Sequence, residues 1–302
     1  IPDSDDPVER LLATLQWWIS KDSKFVKGKL VKPFNSILGE QFFCKWETSF
    51  DSSNPKDTDT VSTAPSSSTA SVSSFNASSA PTSDSLVYTV EYITEQVSHH
   101  PPVSAYVYRC KQKGIQLTGL DHISAKFSGL SMTISPGSWC KGSFLTLESR
   151  NNEMYHCYSS DASISGWMRG KLKVLCTGPL RIICPATKLA VIIDFSEKTW
   201  YGQIKDVISG AVFHYDPEIH DVQSWTMKTV PSSISIIAKI SGQWDGKVFL
   251  EYPNSSGPVL FFDMYHSKTS PKIVKPLQDQ SEFESRRIWG DVAKLMIEKN
   301  HN

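Results

Sequence analysis

Glu95-Gln96-Val97-Ser98-His99-His100-Pro101-Pro102 is the most informative stretch of this chain, because two adjacent histidines are followed by two adjacent prolines. The run before it, Val87 to Ile93, is rich in β-branched and aromatic residues and predicts a β-strand. Proline favours an extended conformation in the preceding residue and cannot donate to a strand ladder, so we expect extended histidines and interrupted strand pairing here. Neighbouring side chains on an extended chain point to opposite sides. His99 and His100 therefore reach one ligand only if the chain kinks or the ligand is large.

The histidine pair is compatible with several kinds of site. An anion favours the charged form of a nearby histidine, so the pair suits a phosphate-bearing ligand. A hydrogen-bonded structural pair is one alternative and a metal site is another, although no Cys or His stands at zinc spacing around the pair. Either imidazole could also act as a general base toward Ser98 or a phosphoester, but the chain has no G-x-S-x-G, no phosphate-cradling glycine loop and no H-E-x-x-H. We therefore expect a binding protein without catalytic residues, metal or cofactor.

Residues 6–19 give the clearest helical pattern. Asp6 is placed to cap the helix, Pro7 suits its first position, and Glu9 stands where a capping box requires it. One apolar face follows from the helical spacing of Val8, Leu11, Leu12, Leu15, Trp18 and Ile19. We interpret this face as packing in the core, with membrane insertion as the alternative.

The rest of the chain reads mainly as β-structure. Gln41–Glu47 predicts a strand, and residues 50–85, where Ser, Thr, Asn, Asp and Pro predominate, predict a disordered insertion before the next strand. From about residue 86 to 266, short β runs alternate with turn signals such as Asn151-Asn152 and Asp245-Gly246. The runs include Ser143–Glu148, Met154–Tyr158, Lys171–Cys176, Leu189–Phe195, Ser233–Ile240 and Val248–Tyr252. So many strands without helical patterns between them predict a mainly β fold with flanking helices (α+β), an antiparallel sheet or barrel that can leave an interior cavity.

Composition excludes some functions. The 302 residues include 31 basic and 31 acidic side chains, and no long basic run supports electrostatic binding to nucleic acid. The six cysteines form no CxxC pair and are interpreted as buried thiols in a reducing compartment. The longest apolar runs, such as Leu189–Ile193, are far too short to span a membrane. We expect a cytoplasmic protein that contacts membranes peripherally.

Four segments, in the same order, resemble the oxysterol-binding-protein-related family of lipid-transfer proteins, including its compact fungal-type members. EQVSHHPP resembles the family fingerprint. KPFNSILGE, residues 32–40, resembles a KPxNPxLGE-like segment, with Ser36 where proline is commonest. ISGQWDG (240–246) resembles a segment near the end of the family's barrel, and ESRRIW (284–289) resembles the start of a following helix.

The resemblance implies a single lipid-binding domain over residues 1–302, a large antiparallel, incomplete β-barrel enclosing a hydrophobic lipid tunnel. Its parts would be an N-terminal helix within 1–30, the insertion at 50–85, barrel strands over 86–266 and a C-terminal helical segment over 267–302. We expect the family's lid, and its further C-terminal helices with basic residues for the headgroup, to lie outside these residues.

The resemblance also implies the site residues. In the family, the lysine and asparagine of the first segment and the histidine pair hold the phosphates of phosphatidylinositol 4-phosphate. Here these residues are Lys32, Asn35, His99 and His100. A sterol, or alternatively phosphatidylserine, would compete for the same tunnel, which implies exchange of one lipid for another between membranes at organelle contact sites. A phosphoinositide sensor that signals through a partner without transferring lipid remains an alternative.

Overall fold

The structure, a computed structural model, describes residues 1–26, 34–50, 86–129, 131–166, 173–200, 203–267 and 269–298. Lys32 and residues 51–85 of the predicted insertion lie outside the described residues. The described helices are α1 (Pro7–Ser20), α2 (Ser23–Val26) and α3 (Ser285–Ile297).

One large antiparallel sheet accounts for most of the described chain. Its strands are β1 (Gln41–Phe50), β2 (Leu86–His99), β3 (Pro102–Cys110), β4 (Ile115–Ser128), β5 (Ser131–Pro136), β6 (Ser143–Leu147), β7 (Glu153–Tyr158), β8 (Asp161–Ser165), β9 (Lys173–Thr177), β10 (Pro179–Cys184), β11 (Leu189–Trp200), β12 (Gln203–His214), β13 (Ile236–Gln243), β14 (Lys247–Glu251) and β15 (Val259–Asp263). The strand order is β1-β2-β3-β4-β6-β7-β10-β11-β12-β13-β14-β15. No pairing joins β15 to β1 within the described residues, so the sheet is open, and the predicted mainly β, antiparallel and incomplete barrel is confirmed.

A side branch leaves this sheet halfway along β4. Residues 115–119 of β4 pair with β6, whereas residues 123–128 pair with β5, which continues to β8 and β9. The long strand β4 thus belongs to two surfaces.

Helix α1 lies on the inner face of the sheet and fills part of the core. Leu11 and Leu15 are fully buried, and the apolar face of the helix joins one cluster with residues of many strands, among them Leu145, Tyr155, Ile182, Val191 and Leu250. Burial of each such side chain stabilises the fold by about 1.5–3 kcal/mol. The core-packing interpretation of the apolar face is confirmed.

The helix start departs from the predicted capping box. Asp6 caps α1 as expected, since its carboxylate accepts a hydrogen bond from the Val8 amide at 2.8 Å. Glu9 does not reach back to the Asp6 amide, because Ser4 stands between them. The Ser4 hydroxyl accepts from the Asp6 amide at 3.1 Å and donates to Glu9.

Residues 215–235 form no strand, and β13 begins at Ile236 rather than at Ser233 as predicted. This segment covers the outer face of β10 to β12, where Phe213 and Val222 belong to a second apolar cluster. Asp194 ties the segment to the sheet by accepting a hydrogen bond from the Met227 amide at 3.0 Å.

The turn after β13 explains one of the sequence motifs. Trp244 of ISGQWDG donates its indole N–H to Asp22, just after α1, at 3.1 Å. Gly242 has φ +131°, and a Cβ there would lie 2.1 Å from the carbonyl oxygen of Lys247 on β14. The motif therefore fastens the β13–β14 hairpin to the end of α1 and needs glycine at this position.

We expect Gly242→Ala to lower the free energy of unfolding by about 2–4 kcal/mol, because backbone strain and overpacking each contribute about 1–3 kcal/mol. Gly246→Ala is the matched control, since its Cβ would meet only the Gln243 side chain, at 3.4 Å. Its effect should be at most about 1 kcal/mol. Urea unfolding of the two variants measures the difference, and equal losses would contradict this account of Gly242.

Candidate functional site

The histidine pair forms the turn between β2 and β3. His99 ends β2 and pairs with Pro102, the first residue of β3, so His100 and Pro101 make a tight turn, and the peptide bond joining them is cis. The chain thus kinks here, which is one of the two ways in which both imidazoles could reach one ligand. The two imidazole rings meet edge to face with centroids 4.7 Å apart. Both rings can therefore contact one ligand.

A β-bulge directs His99 toward the inner side of the sheet. Gln96 pairs with Ser104, but Ser98 pairs with Val103, so Val97 is the extra residue on β2. Directly paired residues share a face. Pro102 is on the same face as Ser104, and Ser104 pairs with Asp121, which lines an internal cavity. His99, opposite Pro102, is therefore on the cavity face, as expected for a bulge that re-aims a side chain.

The polar atoms of the two histidines are available to a ligand to different degrees. The Nδ1 atom of His99 is buried and has no hydrogen-bond partner among the described residues, whereas His100 is exposed. A buried nitrogen without a partner is costly and rare in native proteins, and each case calls for an explanation. A polar ligand group could become this partner only if the turn opened enough to expose the nitrogen.

The second predicted segment runs alongside this turn. The Gly39 amide donates to the Gln96 carbonyl at 2.8 Å, and the Gln96 amide donates to the Glu40 carbonyl at 2.9 Å. Asn35 lies on this loop and is exposed. No hydrogen bond joins Asn35 to either histidine within the described residues, and Lys32 lies outside them. The structure thus places the Asn35 loop beside the histidine turn without direct contact, and the four-residue headgroup site stays a prediction.

A cavity of about 440 Å³ lies next to α1, on the inner face of β1, β3 and β4 and of the neighbouring β5, β6 and β7. Aromatic rings form much of its wall. The lining residues include Trp17, Trp18, Trp46, Tyr106, Tyr108 and Tyr158. Tyr106 is four residues from Pro102 along β3, roughly 13 Å at the usual rise of about 3.3 Å per residue. The histidine turn therefore lies at one end of the strands that wall the cavity.

Polar groups in the cavity wall are neutral hydrogen-bonding groups for the most part. The hydroxyl of Tyr106 lies 2.6 Å from the Ser143 hydroxyl. Burial raises the pKa of both Tyr106 and Tyr108, so both phenols stay protonated at neutral pH. Asp121 and the ion pair between Lys21 and Asp22, 2.9 Å apart, add charge to the wall. The cavity can hold an apolar body and satisfy one or more hydroxyl groups.

The β4-β5-β8-β9 branch continues this apolar wall. One face carries alternate residues of all four strands, Ile123, Ala125, Phe127, Met132, Ile134, Pro136, Ala162, Ile164, Val174 and Cys176. Pro136 lines the cavity, and Cys176 packs against the core, so this face looks inward. Ile123 and Phe127 are nonetheless 60% and 70% exposed. The sequence interpretation missed this surface, although the alternation of apolar residues with Ser and Thr was its signal.

Three other predictions concern the chemistry of side chains. The structure shows no hydrogen bond between the Ser98 hydroxyl and either imidazole in the described part of the chain. Among the same residues, no three His, Cys, Asp or Glu side chains are arranged to hold a metal ion. None of the six cysteines forms a disulfide, as predicted, but Cys140 and Cys176 are only half-buried.

Fold and site together define an open, barrel-like antiparallel sheet with an aromatic cavity and a histidine turn at one end of its wall. The family model described as oxysterol-binding protein matches residues 2–301. This chain therefore belongs to the oxysterol-binding protein family. Over the described ranges, no helix is both long and apolar enough to cross a bilayer.

The relatives agree with this assignment. Oxysterol-binding protein-like protein 1 of Schizosaccharomyces pombe is 31% identical over 365 residues, covering 99% of this chain and 70% of that protein. Oxysterol-binding protein-related protein 5 of Mus musculus is 27% identical over 299 residues, covering 97% of this chain and 28% of that protein. This chain thus matches only part of each relative's length.

Two solved structures share the fold. The Osh1 ORD domain in complex with cholesterol has a TM-score of 0.57 at 18% identity and covers 98% of this chain and 66% of that chain. The same domain in complex with ergosterol has a TM-score of 0.52 at 20% identity and covers 86% of this chain and 48% of that chain. At these identities the likeness establishes the architecture alone.

Proposed function

We propose that this chain is a lipid carrier that takes one lipid at a time into its cavity and exchanges phosphatidylinositol 4-phosphate for a sterol between membranes. The observation that carries the proposal is the histidine turn. His99 lies there on the cavity face, at one end of the strands that wall an aromatic cavity, and its buried Nδ1 has no hydrogen-bond partner in the described part of the chain.

The phosphoinositide headgroup would bind at this turn. His99 and His100 meet edge to face and can both donate to phosphate oxygens when protonated. Asn35 lies on the adjoining loop, and Lys32, which precedes it by three residues in the sequence, is the fourth residue of the proposed site. A lysine contributes a compact cation and an asparagine a directional donor.

A sterol fits the cavity better than a two-chain lipid does. Flat aromatic rings such as Trp46 and Tyr108, which stack at 6.1 Å, offer broad apolar contact to a rigid ring system. The pair formed by Tyr106 and Ser143 offers a hydrogen bond to a single hydroxyl. The Osh1 ORD domain, which shares the fold, was solved with cholesterol and with ergosterol. Phosphatidylserine remains the second candidate for this lipid.

Exchange would follow from the two lipids excluding each other from one cavity. Extracting a lipid into water costs about 0.8 kcal/mol per CH₂ group, and the cavity wall replaces those apolar contacts. A gradient of the phosphoinositide would then drive the sterol in the opposite direction. No covalent bond forms or breaks, so the carrier is not an enzyme, and its partners are membrane lipids met at the cytoplasmic surface of membranes.

Lipid extraction tests the proposal directly. Protein is incubated with phosphatidylcholine vesicles that contain either phosphatidylinositol 4-phosphate or sterol, separated from them by flotation, and analysed by mass spectrometry. We expect one lipid per protein, chemically unchanged, and displacement of each lipid by the other. Surface binding of phosphoinositide vesicles without any extracted lipid would favour the sensor, and released phosphate or fatty acid would indicate an enzyme.

Exposed aliphatic side chains beside the histidine turn would contact the bilayer. Leu38 is 62% exposed on the loop that pairs with Gln96, and Val97 is exposed at the bulge. We expect Leu38→Asp to slow lipid transfer about tenfold, because a leucine that enters a bilayer contributes on the order of 1.5 kcal/mol or more. Because the new carboxylate would also repel the phosphoinositide headgroup, the rate compared is that of sterol transfer between vesicles that contain no phosphoinositide.

The matched control for Leu38 is Leu260→Asp, since Leu260 is 53% exposed on β15 at the other end of the strand order. Stopped-flow transfer between vesicles compares the two variants. Equal rates in both would argue against contact of the Leu38 loop with the membrane.

A further inference from the structure

We infer that Glu40 is a positioning residue that couples helix α3 to the phosphoinositide headgroup site, an inference that rests on the function proposed above. Glu40 is buried, at 7% exposure, and its carboxylate accepts three hydrogen bonds. The Ile37 amide donates at 3.0 Å, the Ser285 hydroxyl at 2.6 Å and the Trp289 indole N–H at 3.0 Å. One of these donors lies on the Asn35 loop and two lie on α3, so a single side chain joins the two segments.

Further contacts hold the Asn35 loop against α3. The rings of Phe34 and Trp289 stack almost in parallel, with centroids 4.7 Å apart and an angle of 3°. The Gln41 amide donates to the Phe283 carbonyl at 2.8 Å, and the Ser285 hydroxyl lies 3.2 Å from the Gln41 carbonyl. The loop that carries Asn35 is thus held against α3 at both of its ends.

Gln96 connects the Asn35 loop and α3 to the histidine turn. The Glu40 carbonyl accepts from the Gln96 amide. The Gln96 side chain donates to the Ser98 carbonyl at 2.7 Å and accepts from the Ser104 hydroxyl at 2.7 Å. Gln96 therefore spans the bulge that directs His99 inward. A continuous series of hydrogen bonds connects α3, through Glu40 and Gln96, to the residue that precedes His99.

The groups that donate hydrogen bonds to Glu40 indicate that its role is to position its neighbours and not to pair with a positive charge. Among the described residues no Lys, Arg or His forms an ion pair with Glu40, and its three partners are neutral donors. A carboxylate is a pure acceptor with two oxygens, so it can bind donors from two segments at once and orient both. Displacement of α3 would release the Asn35 loop and loosen the histidine turn, and phosphoinositide affinity would fall while the aromatic cavity stayed intact.

The test compares Glu40→Ala, Glu40→Gln and Trp289→Phe with a control of similar structural effect. Asp194→Ala is that control, because it also removes a hydrogen bond that ties a covering segment to the sheet, on the outer face and away from the cavity. Affinity for soluble inositol 1,4-bisphosphate, uptake of sterol from phosphatidylcholine vesicles and the midpoint of thermal unfolding are measured for each protein.

Glu40→Ala should weaken inositol 1,4-bisphosphate binding about tenfold, the effect of losing hydrogen bonds to a charged group. Sterol uptake should be unchanged. Glu40→Gln, which keeps one oxygen for Ile37 and Trp289, should recover much of the affinity. Ligand binding should also change the fluorescence of Trp289, and this change is the difference between the signals of wild type and Trp289→Phe. We expect Glu40→Ala to lose it. If Asp194→Ala weakened headgroup binding equally, or Glu40→Ala left it intact, the inference would be wrong.

Hydrogen exchange of the ligand-free protein separates this inference from the proposed function. Amides of residues 96–104 should exchange faster in Glu40→Ala than in wild type or Asp194→Ala. If wild type bound no inositol bisphosphate, the proposed headgroup site would fail, yet faster exchange would still support the coupling of α3 to the histidine turn. Unchanged exchange at these amides would overturn it.

Discussion

Replacing both His99 and His100 with alanine is expected to lower affinity for phosphatidylinositol 4-phosphate about 100-fold or more while leaving sterol uptake nearly unchanged. Each imidazole can form a hydrogen bond to a phosphate, and a hydrogen bond to a charged group contributes about 1.5–3 kcal/mol. The rings lie at the turn beyond the aromatic part of the cavity, so their removal should not disturb the wall that would hold a sterol.

The two single variants should differ. His99 is on the cavity face, and its buried Nδ1 has no partner among the residues that the structure describes, whereas His100 is exposed. Because a buried hydrogen bond gains more than an exposed one, we expect His99→Ala to lose more affinity than His100→Ala. Isothermal titration with inositol 1,4-bisphosphate measures both effects.

His214→Ala serves as the control for the histidine variants. His214 is exposed on β12, remote from the histidine turn in the strand order. The His214→Ala variant should bind the headgroup with the same affinity as wild type. If the double variant kept wild-type affinity, the histidines would be structural and the headgroup site would have to lie elsewhere.

Breaking the buried ion pair between Arg10 and Glu153 is expected to lower the free energy of unfolding by about 3–5 kcal/mol. Arg10 on α1 donates to both Glu153 oxygens, at 2.8 and 2.6 Å, and both side chains are more than 90% buried. The Tyr155 hydroxyl donates to the same carboxylate at 2.5 Å. Glu153→Ala would leave a buried guanidinium without its anion and would loosen α1 from the sheet.

Two comparisons isolate this effect in urea unfolding. The double variant Arg10→Met/Glu153→Leu should lose much less stability than the sum of the single variants, because no unpaired charge remains. Lys113→Met, which breaks the exposed pair with Asp3 at 2.7 Å, should have little effect. Additive losses in the double variant would show that packing, not charge pairing, dominates.

The Arg10–Glu153 pair also predicts a pH dependence. Burial raises the pKa of Glu153, but hydrogen bonds from Arg10 and Tyr155, together with the charge of Arg10, outweigh burial and lower the pKa below its usual range. A carboxyl whose folded-state pKa is lowered stabilises the fold above its unfolded-state pKa. This contribution is lost as the pH falls through the folded-state pKa. Unfolding measured from neutral to acid pH should therefore show a steeper loss in wild type than in the double variant.

Regular elements were predictable from local patterns because their signals are local. The helical spacing of Leu11, Leu15 and Ile19 predicted the inner face of α1, and β-branched and aromatic runs marked most strands. Asn151 and Asn152, expected in a turn, both adopt positive φ. The branch of β4 into two sheets was not predictable, because nothing in the residues at 115–128 shows that their two halves pair with different strands.

The site was predictable only in part. The motif identified the histidine turn, and the prolines predicted an interruption of pairing. The bulge at Val97, which brings His99 to the cavity face, depends on the register between β2 and β3 and has no signal of its own in the sequence. The role of Glu40 was also hidden, since its partners Ser285 and Trp289 are more than 240 residues away.

The central claim, exchange of two lipids through one cavity, is tested most directly by transfer between two vesicle populations. One carries phosphatidylinositol 4-phosphate, the other a fluorescent sterol, and movement of both lipids is followed at the same time. The account predicts that each lipid moves faster when the other is present in the opposite population, and that the His99→Ala/His100→Ala variant loses this coupling. The account would be contradicted if the rate of sterol transfer did not depend on the phosphoinositide gradient in either wild type or the variant.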